Sequence, residues 1–410
     1  MAVVGELQPV NQCQVTLSLS SFSLQPAEGM EHLPDDVLLM VMELLEVPDL
    51  LACRRVCKRI GALALHREAW RHREVDDHDH VSHVLCPVLR LAPCLDTLEL
   101  TLPFMSDGCL PPFTATRCAV RHLDLAVEPG SAMFAALVLR NQEALGRLKR
   151  FTLRFSPEDE DAELLMETLA STGGLERVVL RHDLFSDIED APSRFEPLSR
   201  LHKTSASSLR MFDCEYARES EELCNFMLAV HAATLELVNL SGDDDATYNY
   251  CSSKSAAALL AGMPNLYELT SFPLGGMADV ADCASLRIVH LTVCEESRRT
   301  VREAAAFLRR AEQLRQVTLD YGHAGTKSSD IGVDLVLAVN PSVEELVIRS
   351  RREAPPDLLP QLQALLVAPA LRTLRRLELR VDAVPDALLL GWASRPTRPR
   401  PCGTSSSGWC

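Results

Sequence analysis

The chain lacks the features of secreted, membrane-spanning and nucleic-acid-binding proteins. No uninterrupted apolar run reaches the roughly 20 residues that a membrane helix needs. Residues 1–23 have no basic region ahead of a long apolar stretch, so we do not expect a signal peptide there. Lys and Arg number 41 against 57 Asp and Glu, a formal net charge of −16. General binding to nucleic acid or to an anionic membrane is therefore not expected, because phosphates require a basic surface.

The 14 cysteines are scattered and form no disulfide or zinc framework. The nearest approach to a motif is Cys53 and Cys57, which lie four residues apart on an expected helix. We interpret both as small core residues. Thiols without a secretory signal are typical of a reducing compartment, so we expect the protein in the cytoplasm, the nucleus or both.

No motif of a catalytic or metal centre stands out. A phosphate loop, a nucleophile elbow and a zinc-binding pair of histidines are all missing from the sequence. The polar run at residues 76–80, with His83 and Cys86 beyond it, suggests a metal, but adjacent ligands on a linker give poor tetrahedral geometry. We interpret the run as a polar hinge. The sequence thus predicts no enzyme, no cofactor and no metal.

What the sequence does contain is a repeated pattern, apolar-x-x-apolar-x-apolar, from residue 95 to residue 379. The last two apolar positions are two residues apart, so they share one face of a short strand. Helical stretches lie between the strands, such as one with apolar side chains at 223, 226, 227 and 230. The eleven copies are Leu95-Leu98-Leu100, Val120-Leu123-Leu125, Leu148-Phe151-Leu153, Leu175-Val178-Leu180, Leu209-Phe212-Cys214, Leu235-Val238-Leu240, Leu266-Leu269-Ser271, Leu286-Val289-Leu291, Leu314-Val317-Leu319, Val343-Leu346-Ile348 and Leu374-Leu377-Leu379.

The copies follow one another at a mean period of about 28 residues and resemble the leucine-rich-repeat family, whose units have about 20–29 residues. The resemblance implies parallel strands on a concave side and helices on a convex side. The spacing varies, and the Asn or Cys usual after the last leucine is clear only at Cys294. We therefore expect an irregular horseshoe. The alternative is an ordinary α/β domain whose strands match the pattern by accident.

A short helical segment precedes the repeats. Pro34 suits the first turn of a helix, and the helix that follows is apolar on nearly every side, with Glu43 its only interior charge. Such a helix must be covered all round, which a segment ending near Trp70 is too short to do alone. A second helix is expected over residues 50–60. The surplus apolar surface predicts contact with a partner or with the repeats.

Over about residues 31–72 this segment resembles an F-box. The resemblance rests on Leu33-Pro34, the acid at Asp36, the paired leucines, Val56-Cys57-Lys58 and the terminal Trp70, although Ile60 replaces a frequent aromatic residue. It implies docking onto the small adaptor that links F-box proteins to a cullin-based ubiquitin ligase. Some of the matching residues would instead hold the module's own core. The implied adaptor-binding residues are Leu33, Pro34, Leu38, Leu44, Leu45, Leu50, Val56 and Trp70.

The strand positions between the apolar anchors would form the concave surface. The third repeat places Arg150 and Arg154 there, and the fourth places Arg177 and Arg181. Arginine suits carboxylate and phosphate groups, so we hypothesise that an acidic or phosphorylated segment of a protein target binds these four side chains. The alternative is that they are simply solvated.

Together these observations predict an α/β chain that works as a non-catalytic substrate-recognition adaptor of a cullin-based, SCF-type ubiquitin ligase. The alternative function is a leucine-rich-repeat scaffold with no role in ubiquitin transfer. The expected parts are a flexible leader over 1–29, a three-helix F-box-like module over 30–75, a polar linker over 76–89, an irregular leucine-rich-repeat solenoid over 90–383 and a disordered Pro, Arg and Ser-rich tail over 384–410.

Overall fold

The structure of the chain is a computed structural model. It describes residues 33–77, 82–103, 113–155, 162–182, 207–214, 216, 220–241, 254–294, 300–323, 333–349, 364–365 and 368–380. The expected leader and tail lie outside these residues.

The N-terminal module consists of four short helices packed around a small core. They are α1 (Asp35–Met42), α2 (Val47–Cys53), α3 (Lys58–Ala64) and α4 (Arg67–Trp70). Leu38, Leu50 and Trp70 are buried at the centre. The indole Nε1 of Trp70 donates a hydrogen bond to the carbonyl oxygen of Ala64 at 2.7 Å, so the ring is buried without an unpaired polar atom.

The single helix expected over residues 50–60 is two helices. Cys57 has an extended backbone, and its sulfur accepts a hydrogen bond from the amide of Ile60 at 3.4 Å, which starts α3. Gly61 lets the two helices approach closely, since a Cβ there would lie 2.9 Å from the carbonyl oxygen of Arg54. Cys53 is half-buried but Cys57 is exposed, so the prediction that both are core residues is wrong for Cys57.

The rest of the described chain contains one parallel sheet of twelve strands, in which each strand pairs only with its neighbours in sequence. The strands are β1 (Glu74–Val75), β2 (Cys94–Leu102), β3 (Ala119–Val127), β4 (Arg150–Phe155), β5 (Arg177–His182), β6 (Met211–Cys214), β7 (Leu237–Asn239), β8 (Glu268–Ser271), β9 (Ile288–Cys294), β10 (Gln316–His323), β11 (Glu345–Arg349) and β12 (Arg376–Arg380). This strand order is that of a solenoid-like repeat rather than of a doubly wound sheet.

Helices form a second layer beside the sheet. Successive helices contact one another, as α6 does with α7 and α10 with α11. They are α5 (Ser82–Leu91), α6 (Ala132–Leu145), α7 (Ala162–Ser171), α8 (Glu221–His231), α9 (Ser255–Ala261), α10 (Val301–Arg310) and α11 (Val333–Ala338). Short 3-10 helices lie at Phe113–Ala115, Met277–Asp282 and Pro369–Arg372.

The register of the sheet aligns the middle residues of all eleven repeats. Leu98 pairs with Leu123, Leu123 with Phe151, and the row continues strand by strand to Leu377. Every member is buried except Leu377, which is half-buried. The expected helix near residues 223–230 is α8. The prediction of a helical N-terminal region followed by a mixed α/β, solenoid-like repeat is therefore confirmed at this level.

The described residues of the stretch 76–89, which are 76–77 and 82–89, do not form the polar linker that we expected. Strand β1 ends at Val75 and already belongs to the sheet, and the carboxylate of Asp77 accepts a hydrogen bond from the amide of Thr101. Helix α5 then buries Val84, Leu85, Val88 and Leu89 against the core. The sheet therefore begins at Glu74 rather than near residue 90, and the module is continuous with it.

No described group of three His, Cys, Asp or Glu side chains is placed to hold a metal ion. The histidines of the polar run at residues 76–80 lie outside the described residues. Among the described helices, none is long and apolar enough to cross a membrane.

Candidate functional site

Helix α1 presents an apolar stripe to solvent. Val37, Met40 and Val41 lie on one face of α1, Leu44 follows in the turn after the helix at the i+7 position, and Leu33 precedes the helix. All five side chains are exposed, with Leu44 at 84% and Met40 at 65%. We call these five residues the α1 face. Leu38 and Met42 take the opposite side into the core, so only half of this apolar helix is covered.

The start of α1 is held in place by the second half of the module. The guanidinium of Arg59 on α3 donates to the Asp35 carboxylate at 2.9 Å and to the carbonyl oxygen of Leu33 at 2.5 Å. These contacts fix Leu33 and Pro34 at one end of the α1 face. Val56, on the turn between α2 and α3, is a second apolar residue at the surface and is 70% exposed.

The structure divides the eight predicted adaptor-binding residues by burial. Leu33, Pro34, Leu44 and Val56 are exposed, and Leu45 is half-buried. Leu38, Leu50 and Trp70 are buried, so the direct contact expected of those three is corrected: they support the module from inside, because a fully covered side chain offers no surface to a partner.

Sequence reasoning missed Val37, Met40 and Val41 as surface residues. Their spacing relative to Leu44 was visible in the sequence. The spacing did not indicate which side of the helix is exposed, however, because Leu38, Leu39 and Met42 make the helix apolar on the other side as well. Only the packing of α3 and α4 against α1 decides which side remains exposed.

The four predicted target-binding arginines lie together on the sheet, on the side opposite the buried anchors. Arg150 pairs in register with Arg177, and Arg154 pairs with Arg181. Strands β4 and β5 therefore place the side chains in two adjacent rows, since neighbouring parallel strands lie about 4.8 Å apart. The expected clustering of the four residues agrees with the sheet register.

Two of these arginines are neutralised by acids from other strands. Arg154 contacts the Glu99 carboxylate of β2 and the Asp124 carboxylate of β3, the latter at 3.2 Å. Arg181 donates to Asp213 of β6. Their charges are thus compensated within the sheet.

Arg150 and Arg177 are different. Both are exposed, and neither forms an ion pair with another described side chain. The pKa of the neighbouring His122 is lowered from its ordinary value, first by burial and then by the charges of Arg150 and Arg177. Nε2 of His122 lies 3.1 Å from Oγ1 of Thr152, so the ring is tied to the same surface. We call Arg150 and Arg177 the arginine pair.

Comparison with known proteins identifies the N-terminal module. A family model described as F-box-like matches residues 30–75, the stretch that forms α1 to α4 and β1. A search of curated proteins finds no match to the chain. F-box domains are typically non-catalytic adaptor subunits that bind ligase adaptors and, through them, cullins. The match at residues 30–75 therefore supports an F-box protein.

Proposed function

We propose that the chain is the substrate-recognition adaptor of a cullin-based, SCF-type ubiquitin ligase. Its F-box-like module docks the ligase adaptor, and its sheet, read as leucine-rich repeats, holds a protein target. The observation that carries the proposal is the α1 face, a contiguous apolar stripe with Leu44 84% exposed. A contiguous exposed apolar patch marks an interaction surface more often than a chance exposure does.

The size of the α1 face bears on how docking works. Full burial of one Val, Leu or Met side chain contributes about 1.5–3 kcal/mol, and association costs about 4–15 kcal/mol in lost freedom. The five side chains of the α1 face are already partly covered, so they provide less than this maximum. We therefore include Val56 in the docking surface, because this exposed apolar side chain lies on the turn between α2 and α3 of the same module.

For the other end of the molecule we propose that the arginine pair receives an acidic or phosphorylated segment of the target. Arg150 and Arg177 have the uncompensated charge for it, whereas Arg154 and Arg181 are engaged by Glu99, Asp124 and Asp213. Planar guanidinium groups bind carboxylate and phosphate in a bidentate manner. We place the complex in the cytoplasm or the nucleus, where thiols such as buried Cys214 and Cys224 stay reduced.

The direct test is a binding assay between the full chain and the purified small adaptor of cullin-based ligases. Leu44→Asp places a charge at the most exposed side chain of the proposed docking surface without removing a core side chain, so binding should be lost. Phe134→Asp is the matched control, because Phe134 is also an exposed apolar residue on a helix but lies on α6. Urea unfolding should give the same midpoint for both variants.

Two results would contradict the proposal. If the unaltered chain does not bind the ligase adaptor, the alternative of a repeat scaffold outside ubiquitin transfer is favoured. If a Met40→Asp, Leu44→Asp double variant still binds as well as the Phe134→Asp control, the α1 face is not the docking surface. A Leu33→Ala, Pro34→Ala variant then locates any contact at the start of α1.

A further inference from the structure

A cleft of about 570 Å³ lies where the F-box-like module meets the first strands of the sheet. Its volume falls within the roughly 300–1,000 Å³ usual for ligand clefts. Four of its lining side chains are cations: Arg67 on α4, Arg121 on β3, and Arg147 and Lys149 between α6 and β4. We call these four residues the junction cations. Their concentration is notable in a chain of net charge −16.

The nearby acids compensate only part of this charge. Arg121 lies 3.7 Å from the Asp96 carboxylate, and Lys149 lies 3.1 Å from that of Glu176. Within the described residues, Arg67 and Arg147 form no ion pair. The cleft therefore retains an excess of about two positive charges, more than the roughly half negative charge at the C-terminal end of α6 can offset.

Arg147 connects the two sides of the cleft. Its Nη2 donates to the carbonyl oxygen of Arg71 at 3.0 Å, which links the repeat side of the cleft to the module. Its Nη1 is buried and has no hydrogen-bond acceptor among the described residues. A buried donor on a charged group is costly when unsatisfied. The charge of Arg147 acts on the cleft because its side chain is part of the lining.

We propose that this cleft binds a compact free anion that carries two or more phosphate groups. Guanidinium groups match phosphate oxygens bidentately, and four converging cations suit more than one phosphate. The ligand contacts Arg67 from the module and Arg121 and Lys149 from the repeats, so it joins the two parts of the molecule. This site is separate from the α1 face and from the arginine pair, and its test does not depend on ubiquitin-ligase binding.

Calorimetric titration of the full chain with inorganic pyrophosphate at low salt tests the site. We expect saturable binding of pyrophosphate to a single site. A control titration with sodium chloride in place of pyrophosphate, at the same ionic strength, should show no saturable binding. Arg67→Ala and Arg121→Ala should each weaken pyrophosphate binding about ten-fold or more, as expected for the loss of a charge-assisted hydrogen bond. Arg210→Ala is the matched control: Arg210 is an exposed arginine just before β6, lies 3.7 Å from Glu236, and is outside the cleft.

The remaining outcomes overturn the proposal. Non-saturable heats, or equal binding by the Arg67→Ala, Arg121→Ala and Arg210→Ala variants, would show only general attraction to basic residues. A parallel titration with a phosphoserine peptide separates the two sources of phosphate. Tighter binding of the peptide than of pyrophosphate would replace the free anion by a modified side chain as the ligand. Unchanged urea midpoints of the variants ensure that weaker binding does not reflect unfolding.

Discussion

Arg181 donates two hydrogen bonds to Asp213 on the adjacent strand, at 2.8 and 3.3 Å. The Asp213 side chain is only 7% exposed, and Nδ2 of Asn239 on the next strand approaches the same carboxylate at 3.2 Å. This three-strand contact belongs to the sheet itself. It takes Arg181 away from any partner and leaves the arginine pair as the basic surface on β4 and β5.

We therefore expect Arg181→Ala to lower the free energy of unfolding by about 1–3 kcal/mol, because the buried Asp213 carboxylate loses its charged donor and, among the described side chains, keeps the Asn239 amide. Arg177→Ala, at an exposed position of the same strand, should change stability by less than about 0.5 kcal/mol. Urea unfolding of the two variants measures both. Equal stability of the two variants would show that Asp213 is not structurally dependent on Arg181.

The charge of the arginine pair can be measured at His122. Burial is the largest cause of the lowered His122 pKa, and Arg150 and Arg177 come next. Replacing Arg150 by Ala should raise this pKa, as followed by the NMR titration of the ring protons, while Arg210→Ala should leave it unchanged. A His122 pKa that is the same in the Arg150→Ala variant and the unaltered chain would mean that the arginine charge does not reach the ring.

The same lowered pKa makes stability depend on pH. The folded chain binds a proton at His122 less readily than the unfolded chain does, whose histidines titrate near pH 6.5. The contribution of His122 is thus fully present above about pH 6.5 and is lost as pH falls toward the lower folded pKa. His122→Gln should flatten this part of the stability profile, as measured by urea unfolding between pH 5 and 7.5. An unaltered slope would assign the dependence to other groups.

Substitutions at two leucines of the N-terminal module should have separate effects on folding and on docking. Leu50→Ala removes a buried side chain and should cost about 2–5 kcal/mol. Leu44→Ala acts at the exposed position and should cost less than about 0.5 kcal/mol while weakening capture of the ligase adaptor. Thermal unfolding and the adaptor-binding assay, run on both variants, give the comparison. A Leu44→Ala variant that unfolds as readily as Leu50→Ala would place Leu44 in the core.

Ser271 interrupts the apolar pattern of the seventh repeat, and its replacement by an apolar residue should stabilise the fold. It is completely buried, its Oγ has no hydrogen-bond partner among the residues that the structure describes, and it pairs in register with Leu291. Ser271→Ala removes an unsatisfied hydroxyl and should raise stability by about 1 kcal/mol. Ser208→Ala is the opposite control, since Oγ of Ser208 donates to the carbonyl oxygen of Leu175 at 2.7 Å. A loss of stability in both variants would refute the assignment.

The sequence predicted the sheet well because its signal is local and repeated. The buried rows of the sheet require only that apolar residues recur at fixed offsets in each repeat. The middle apolar residues of the repeats, from Leu98 to Leu377, align in register. Helix α5 escaped prediction although Val84, Leu85, Val88 and Leu89 are its buried residues. The polar run at residues 76–80 indicated a linker, and the tertiary packing of α5 outweighed that local signal.

The candidate sites were less predictable because their chemistry depends on partners far apart in the sequence. Arg154 is compensated by Glu99, 55 residues earlier, and nothing in its own repeat shows this. The junction cations come from three separate segments that meet only in the fold. The exposed side of α1 likewise follows from which helices cover the other side.

Arg73, the residue before β1, also connects the N-terminal module to the sheet. The carbonyl oxygen of Arg73 accepts from the amides of Asp96 and Thr97, while its guanidinium donates to the carbonyl oxygens of Met42 and Glu43 at 2.8 and 2.9 Å. Arg73 thus hydrogen-bonds both to the end of α1 and to strand β2 of the sheet. Under the proposed function, these contacts would set the orientation of a target bound at the arginine pair relative to an adaptor bound at the α1 face.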